Sequence, residues 1–530
     1  MSDARGGAPG GRGRRDDRGR QGPPRTGGAS GGDTGRRRDE RGRERGAARA
    51  EGRGHRSAAA PTDRRRGTDA ARAAAFEVLR EVDGSDSYAN LVLPPLLRER
   101  GLSGRDAAFA TELAYGTLRL RGRYDVVIEL CAARTLDRIE PPVLDLLRMG
   151  VHQLLGMRVP AHAAVSETVG LARERTGVGS GQFVNAVLRA VGRESPETWL
   201  ARVADHVDPA GTDAVARLAA VESHPVWVAR ALREALAGNG RDVDELVELM
   251  RADNTAPEVT LVARPGLVTA GDLVEQSRGA GRRGRWVETA VVLSGGDPGA
   301  VAAVREGLAG VQDEGSQLVA LAFAQAPVAG RDERWLDLCA GPGGKSALLA
   351  ALASGRGARL VANEVAPHRA RLVERALVAV PADAVEEVRT GDGRVVGQDE
   401  PAAYDRVLVD APCTGLGALR RRPEARWRRV PSDLAQLGAL QRALLSSALD
   451  AVRPGGVVAY VTCSPHLAET QLVVKDVLRK RSDVEVLDAR EPVRDVAGDD
   501  IPLGDRLDVQ LWPHAHGTDA MFLTLLRRSG

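Results

Sequence analysis

Apolar residues recur every three or four positions from residue 68 to about residue 194, which is the spacing of the buried face of an amphipathic helix. Gly and Pro residues separate the successive apolar segments, so the pattern predicts a bundle of helices and not one long helix. The predicted helices are Ala70–Val82, Leu91–Leu97, Asp106–Leu118, Tyr124–Ala133, Pro142–Gly156 and Ala164–Arg175. We therefore expect an all-α domain over residues 68–194.

Residues 195–312 combine helices with short strands. Helical spacing indicates two linker helices, Trp227–Ala237 and Val243–Arg251. Two strand-like runs, EVTLVA and WVETAVVL, then flank a predicted helix at Thr269–Ser277. The region therefore predicts linker helices followed by a small β–α–β unit, which would lie beside the main domain as a platform or clamp.

Strands alternate with helices over residues 313–530, which predicts a Rossmann-like α/β domain with about seven strands in a mostly parallel sheet. The predicted strands are Trp335–Leu338, Leu360–Asn363, Val385–Arg389, Arg406–Val409, Val457–Thr462, Val484–Leu487 and Met521–Leu525. The predicted helices are Gly344–Ala353, Pro367–Val380, Leu434–Val452 and Leu467–Lys480. Because no helix follows the last predicted strand, that strand can insert antiparallel.

Arginine and glycine dominate residues 1–67, which contain no Ile, Val, Leu or aromatic residue. Residues 1–66 hold 19 arginines and 9 acids, a balance of +10, so the remainder of a chain with net charge +3 carries about −7. Such a segment cannot bury enough apolar surface to order itself, and we expect a disordered tail. Two interpretations stay open, attraction of RNA phosphates and a solubilising extension.

The four cysteines are Cys131, Cys339, Cys413 and Cys463, and they show neither the even spacing of a disulfide framework nor the close pairs of a zinc site. No run of about 18 apolar residues is present, which argues against a membrane span. No apolar stretch follows the first arginines, which argues against a signal peptide. We therefore expect a cytoplasmic protein with no metal and no membrane association.

A glycine-rich loop, LDLCAGPGGKS, follows the first strand of the predicted α/β domain. A Walker loop needs Gly where this chain has Cys339, and the dinucleotide fingerprint needs Gly where it has Ser346. A glycine turn that opens a helix can instead hold the carboxylate of S-adenosylmethionine, while acids after the following strands hold its ribose and adenine. The candidate cofactor-binding residues are Cys339, Ala340, Gly341, Pro342, Gly343, Gly344, Lys345, Glu364, Asp392 and Asp410.

Two cysteines each follow an apolar strand-like run, Cys413 in VLVDAPCTG and Cys463 in VVAYVTCSP. In an open parallel sheet, ligands bind at the carboxyl ends of the strands, so both thiols and the glycine loop are expected to meet in one crevice. Two thiols beside such a loop suggest covalent chemistry on a bound base.

Three segments, LDLCAGPGGKS, VLVDAPCTGLGALRRRPEARW and VTCSPHLAET, together resemble the RNA cytosine carbon-5 methyltransferases. The helical leader resembles the antitermination factor NusB and points to the RsmB (Sun, Fmu) branch of that family. The resemblance covers residues from about 68 onward. Gly341 replaces an alanine that many relatives have, and Glu364 replaces a common aspartate, but both changes keep the proposed roles.

The resemblance implies a role for each reactive side chain. Cys463 is the nucleophile that adds to carbon 6 of cytosine, and Cys413 assists product release. Asp410 hydrogen-bonds the base and stabilises charge during the addition, while Lys345 orients the substrate or lowers a thiol pKa. DNA cytosine methyltransferases use the cysteine equivalent to Cys413 as the nucleophile, and that assignment is the alternative.

The stretch RRRPEARWRR follows Cys413 and combines arginines with a tryptophan, which suits phosphate and stacking contacts to RNA. The candidate RNA-binding residues are Arg420, Arg421, Arg422, Arg426 and Trp427. A solvated basic helix face is the alternative interpretation.

The resemblance also implies the partner, which is 16S ribosomal RNA or its assembly intermediate. The expected product is 5-methylcytidine, at position 967 of that RNA in the customary numbering, and the expected enzyme is a monomer. A stacked base hides carbon 6, so the target must be unpaired or flipped out. Two alternatives stay open: a transfer RNA cytosine-C5 methyltransferase, and a catalytically silent NusB-like RNA-binding factor.

Overall fold

The apolar stripes near the start of the described chain pack against one another as a helical bundle. A computed structural model describes residues 69–85 and 87–530, so the predicted Arg- and Gly-rich tail lies outside the described residues. The helices of the bundle are α1 (Ala70–Gly84), α2 (Ala89–Glu99), α3 (Gly104–Arg119), α4 (Arg121–Ala132), α5 (Pro141–Leu155), α6 (Ala161–Thr176) and α7 (Val178–Val191). Their buried faces share one hydrophobic core, which confirms the predicted all-α fold. Helix α7 adds to the predicted set, because Gly179 and Gly181 interrupt the apolar spacing of its first turns.

Linker helices follow the bundle and share a core with the carboxyl-terminal half of the chain. They are α8 (Pro196–Val207), α9 (Ala214–Val221), α10 (Val226–Gly238) and α11 (Leu246–Asp253). Helices α10 and α11 were expected from the sequence pattern, whereas α8 and α9 are additional. Leu232 and Leu249 of the linker pack in the same cluster as Leu419 and Trp512. The linker therefore packs directly against the α/β domain.

A small antiparallel sheet comes next. Its elements are β1 (Val259–Ala263), α12 (Ala270–Gln276), β2 (Gly281–Arg283), β3 (Ala290–Leu293), α13 (Ala302–Arg305) and β4 (Ala309–Val311). The strand order is β2-β3-β1-β4, and β1 pairs antiparallel with both β3 and β4. The two expected strands and their helix are present, but β2 and β4 are additional. Each of those two strands spans three residues, too short to produce an alternating pattern in the sequence.

The carboxyl-terminal part folds as helices around an eight-stranded mixed sheet. Its first elements are α14 (Glu314–Gln325), β5 (Arg334–Asp337), α15 (Gly344–Ser354), β6 (Arg359–Glu364), α16 (Pro367–Leu377), β7 (Val385–Thr390), α17 (Val396–Asp399) and β8 (Tyr404–Asp410). The later elements are α18 (Ala425–Arg428), α19 (Asp433–Ala451), β9 (Val452–Thr462), α20 (Gln471–Leu478), β10 (Val484–Leu487), α21 (Arg490–Ala497), β11 (Val509–Gln510), α22 (Pro513–His516) and β12 (Phe522–Arg528). All seven predicted strands occur, and β11 is an eighth strand of two residues.

The order of the strands places a crevice at their carboxyl ends. The sheet runs β10-β12-β9-β8-β5-β6-β7, and β5 pairs parallel with both β6 and β8. The connections therefore reverse direction at β5, which is where ligands bind in open α/β sheets. Strand β12, the last strand of the sheet in the chain, pairs antiparallel with β9, as expected from the absence of a helix after it. The predicted Rossmann-like α/β fold is confirmed.

A buried arginine joins the α/β domain to the linker helices. Arg426, in α18, is fully buried, and its Nη1 donates to the carbonyl of Ser223 at 3.1 Å and to Asn254 Oδ1 at 2.8 Å. Its Nη2 donates to the carbonyl of Asp253 at 3.2 Å. Burial lowers the pKa of Arg426 to about 10, so the guanidinium stays charged at neutral pH. This cation therefore stabilises the interface and does not face solvent.

No helix in the described ranges is long and apolar enough to cross a bilayer. Within those same ranges, no group of three or more His, Cys, Asp or Glu side chains is arranged to hold a metal ion.

We predict that Arg426→Ala destabilises the protein. The substitution removes the donor from three buried acceptors, so the apparent melting temperature is expected to fall by roughly 5 °C in differential scanning calorimetry. Arg479→Ala is the matched control, because that side chain is 66% exposed, and its effect is expected to stay within about 1 °C. Equal shifts for the two variants would contradict the role of Arg426 at the interface.

Candidate active site

A cleft of about 660 Å³ opens at the carboxyl ends of the central strands. The expected site residues on its lining are Cys339, Gly341, Pro342, Glu364, Asp392, Asp410, Cys413 and Cys463. The remaining expected cofactor residues are Ala340, Gly343, Gly344 and Lys345, which lie in the loop behind the lining or at the start of α15. The topology thus brings residues from five separate segments, at the ends of β5, β6, β7, β8 and β9, to one cavity.

The glycine loop between β5 and α15 is closely packed at two positions. A Cβ atom on Gly341 would lie 2.3 Å from Glu364 Oε2, and the Gly341 N–H donates to that same oxygen at 3.0 Å. Gly343 has φ = +105°, and a Cβ there would lie 2.7 Å from the Cβ of Ala376. Gly343 therefore requires glycine, which lets the backbone approach α16, whereas a Cβ on Gly341 would have to displace the carboxylate of Glu364.

Two acids border the cleft after β6 and β7. The buried carboxylate of Glu364 accepts from the backbone N–H groups of Gly341 and Ala366, both at 3.0 Å. Asp392 accepts from the Arg394 guanidinium, whose Nη2 lies 2.6 Å from Oδ2. That hydrogen bond lowers the pKa of Asp392 and keeps the carboxylate ionised. The edge of the cleft is therefore acidic where hydroxyl or amine donors of a ligand would bind.

An ion pair lies beside the thiols. Lys345 Nζ donates to Asp410 Oδ2 at 2.8 Å, and the lysine side chain is only 11% exposed. Burial by itself lowers the pKa of Lys345, but the Asp410 carboxylate outweighs it, and the net pKa is raised. Lys345 is therefore an ammonium ion at neutral pH and a fixed positive charge near the cleft.

The two expected catalytic thiols are adjacent. Strand β8 pairs with β9 so that Asp410 lies opposite Val461, which brings the loops after both strands together. The Sγ atoms of Cys413 and Cys463 are 3.4 Å apart. This distance permits an S–H···S hydrogen bond between them.

That hydrogen bond moves the two pKa values in opposite directions. The pKa of Cys463 is lowered, chiefly by the hydrogen bond from Cys413. The positive charges of Lys345 and Arg422 lower it further, whereas burial and the charge of Asp410 raise it, and the lowering effects prevail. The pKa of Cys413 is raised well above its ordinary value by the same hydrogen bond and by burial. These directions favour Cys463 as the more acidic thiol of the pair, with Cys413 as its hydrogen-bond donor.

The other cleft cysteine differs from this pair. Burial and neighbouring carboxylates raise the pKa of Cys339 well above its ordinary value. Its side chain packs against the hydrophobic core cluster beneath the glycine loop. Cys339 therefore contributes shape to the cleft and no reactive thiolate.

A buried carboxylate that the sequence did not single out joins the two cysteine loops. Glu469 is fully buried, and its Oε1 accepts from the N–H of Thr414 at 2.8 Å. Its Oε2 accepts from the Ser464 hydroxyl at 2.6 Å and from the Thr414 hydroxyl. Thr414 and Ser464 directly follow Cys413 and Cys463. Glu469 thus sets the separation of the two thiols.

The structure corrects the expected arginine-rich RNA surface. Arg420 and Arg421 both form ion pairs with the buried carboxylates of Asp313 and Asp519. Arg426 is buried in the interface described above, and the Trp427 ring packs on the start of α4, where a Cβ on Gly122 would lie 2.3 Å from it. These arginines are unavailable to RNA because carboxylates and carbonyl groups from distant segments of the chain already bind them. Of the five residues, Arg422 lines the cleft.

The helical bundle also contributes to the cleft. Tyr88, immediately before α2, is part of the lining, and Arg422 lies over its ring at 5.0 Å from the centroid. No residue of the bundle was expected to take part in the site. The only local signal for Tyr88 is an aromatic residue at a helix start, which is common in cores.

Sequence comparisons agree with this division of the chain. The sequence model of the family described as 16S rRNA methyltransferase RsmB/F matches residues 325–527. The model of the NusB family matches residues 69–193. The first match contains the glycine loop and both thiols, and the second contains the helical bundle.

Similar proteins cover nearly the whole described chain. A protein of Mycobacterium tuberculosis (strain H37Rv), named as a methyltransferase without a stated substrate, is 54% identical over 88% of this chain and 98% of its own length. Ribosomal RNA small subunit methyltransferase B of Vibrio cholerae is 31% identical over 80% of this chain and 93% of its own length. The crystal structure of PH0851 superposes with a TM-score of 0.71 at 21% identity, covering 87% of this chain and 99% of that chain, and shows the same fold.

We predict that iodoacetamide alkylates Cys463 faster than the other cysteines at pH 7.5. A lowered pKa keeps the thiolate populated to lower pH, so the rate midpoint of Cys463 is expected below its ordinary value of 9.0. Cys413→Ala removes the main cause of that shift and is expected to move the midpoint upward. Peptide mass spectrometry measures each site, with Cys131 and Cys339, whose pKa values are raised, as slow internal controls. Faster alkylation of Cys413 would contradict the assignment.

Proposed function

The chain belongs to the 16S rRNA methyltransferase RsmB/F family, and from this premise we propose that it methylates carbon 5 of a cytidine in 16S ribosomal RNA. Family membership makes it an S-adenosylmethionine-dependent rRNA methyltransferase with a NusB-type amino-terminal domain. The observation that carries the finer proposal is the pair of thiols at 3.4 Å, with pKa values shifted in opposite directions, on one cleft.

The residues present fit S-adenosylmethionine. The close packing at Gly341 leaves backbone next to the cleft, where the start of α15 favours the carboxylate of the ligand. Glu364, at the end of β6, suits the ribose hydroxyls, and Asp392, after β7, suits the adenine amine. When bound, S-adenosylmethionine supplies an electrophilic methyl group.

The first chemical step explains the need for a thiolate. Carbon 5 of cytosine is a weak nucleophile until the ring has lost its aromatic character. The Cys463 thiolate uses its electron pair to form a bond to carbon 6, and the ring π electrons become available at carbon 5. The carboxylate of Asp410 accepts a hydrogen bond from the exocyclic amine and holds the ring, while the hydrogen bond from Lys345 holds that carboxylate in place.

The second step needs a base, and the thiol pair provides one. After addition, the sulfur of Cys463 is a neutral thioether, so the negative charge that raised the pKa of Cys413 is gone. Cys413 can then release its proton to solvent and, as a thiolate, remove the proton from carbon 5. The electron pair of that C–H bond re-forms the ring double bond, and the bond from carbon 6 to Cys463 breaks with its electrons returning to sulfur.

The choice of 16S rRNA rests on the family, and the accessibility of the base adds a condition. The ring must enter a cleft that contains both thiols, so the target cytidine must be unpaired or flipped out of its helix. The two alternatives are methylation of a transfer RNA and a silent NusB-like binding factor. Two thiols 3.4 Å apart on the lining of one cleft favour an active enzyme over the silent factor.

We predict that the protein, incubated with labelled S-adenosylmethionine and protein-free 16S rRNA, forms 5-methylcytidine. Cys463→Ala is expected to lower the rate by at least about 10³-fold because no adduct can form. Cys413→Ala is expected to add to carbon 6 but not to eliminate, so a covalent RNA–protein complex accumulates on denaturing gels.

Other outcomes of this experiment would change the substrate, reverse the roles of the two cysteines or support a binding factor without activity. Methylation of transfer RNA but not of 16S rRNA would transfer the proposal to the alternative substrate. Full activity of Cys463→Ala with loss in Cys413→Ala would reverse the two roles. Binding of RNA with no methylation of either RNA would support the silent factor.

A further inference from the structure

The contact between Tyr88 and Arg422 is a feature of the cleft that the proposed chemistry does not use. Among the described lining residues, Tyr88 alone comes from the part of the chain before the α/β domain. It lies on the same cavity as Cys413 and Cys463. The helical bundle therefore reaches the site through a single aromatic ring.

Hydrogen bonds from α18 and its neighbours fix the position of this ring. Glu424 Oε1 accepts from the Ala89 N–H at 2.8 Å, which holds the first turn of α2. Arg428 Nη2 donates to the carbonyls of Val82 at 2.6 Å and Ser87 at 2.7 Å, and its guanidinium lies 5.1 Å from the Tyr88 centroid. The residues before and after Tyr88, Ser87 and Ala89, are thus both hydrogen-bonded to the segment that also contains Arg422.

Arg422 differs from the other arginines of its segment. Its side chain is exposed, and within the described residues its guanidinium forms neither a hydrogen bond nor an ion pair, in contrast to Arg420 and Arg421. The Arg422 guanidinium lies over the Tyr88 ring, and its N–H groups donate to no acceptor among the described residues. A guanidinium presented in this way matches the paired oxygens of a phosphate.

We propose that Arg422, stacked on Tyr88, forms a subsite for a backbone phosphate of the target nucleotide. The subsite lies on the lining of the cleft that holds the thiols, so it would anchor the sugar–phosphate chain while the base enters. The closeness of Arg422 to the reactive thiol is also reflected in the lowered pKa of Cys463. The inference rests on the proposed function, because it assumes an RNA substrate in this cleft.

Direct RNA binding tests the subsite separately from catalysis. Fluorescence anisotropy would measure the Kd of a labelled single-stranded fragment of 16S rRNA, with S-adenosylhomocysteine present, at several salt concentrations. Arg422→Gln is expected to weaken binding about 10-fold and to reduce the slope of log K against log salt by about 0.7, the value for one lost phosphate contact on a single strand. Arg479→Gln, an equal charge change at an exposed position, is the matched control and is expected to keep the slope.

Variants of Tyr88 test its part in holding the arginine. Tyr88→Ala is expected to weaken RNA binding, and in combination with Arg422→Gln to add little, because both changes remove one contact. Tyr88→Phe keeps the ring and is expected to bind like the wild type. An additive double variant would overturn the shared subsite.

Failure of the phosphate subsite can be distinguished from failure of the proposed function. If the wild type binds RNA but does not methylate it, the binding series still decides the subsite while the function fails. If methylation occurs but Arg422→Gln leaves both Kd and salt slope unchanged, the subsite fails while the function stands. Calorimetric titration with S-adenosylhomocysteine tests whether Arg422 binds the cofactor instead. If Arg422→Gln binds S-adenosylhomocysteine more weakly than the wild type, Arg422 contacts the carboxylate of the cofactor and the proposal is overturned.

Discussion

The hydrogen bonds that Glu469 accepts from the two cysteine loops are the constraint on which the active site depends. A fully buried carboxyl group is costly unless its oxygens are satisfied, and here the donors come from Thr414 and Ser464, each next to one of the two cleft cysteines. Gln441 Nε2 adds a further donor at 3.2 Å. If either loop moved away, the carboxylate would lose donors inside the protein. The separation of the thiols is therefore stabilised by a buried side chain whose oxygens accept hydrogen bonds from both cysteine loops.

The short distance between the thiols gives them different chemistry. One sulfur cannot become a thiolate without drawing the proton of the other toward it, so Cys463 gains acidity as Cys413 loses it. The same hydrogen bond disappears when Cys463 bonds to carbon, which is when a base is needed. In the proposed mechanism, one contact between the thiols thus accounts for both roles in turn. Around this contact, Arg426 joins the linker helices to the α/β domain, and Tyr88 places the helical bundle at the edge of the cleft.

Much of this architecture could be predicted from local patterns. Alternating strands and helices gave the position of each long strand, and the strand-end cysteines and glycine loop could be expected to converge because parallel sheets bring such ends together. The arginine-rich stretch could not be interpreted locally, because its partners are distant: Glu424 and Ala89, for example, are separated by 335 positions. Glu469 lay in a recognised motif, but its role depends on a fold that brings Thr414 beside it. Short strands such as β2 and β4 carried too few residues for a periodic signal.

The division of labour between the two cysteines can be tested by trapping the reaction on the wild-type enzyme. An RNA fragment with 5-fluorocytidine at the target position would still accept a thiolate at carbon 6 and a methyl group at carbon 5. Carbon 5 then carries fluorine in place of the proton that a base would remove, so elimination cannot occur and the covalent bond to the cysteine persists. Protease digestion and mass spectrometry then identify the cysteine that carries the nucleotide. The account predicts attachment at Cys463, with Cys413 unmodified. Attachment at Cys413 would contradict it.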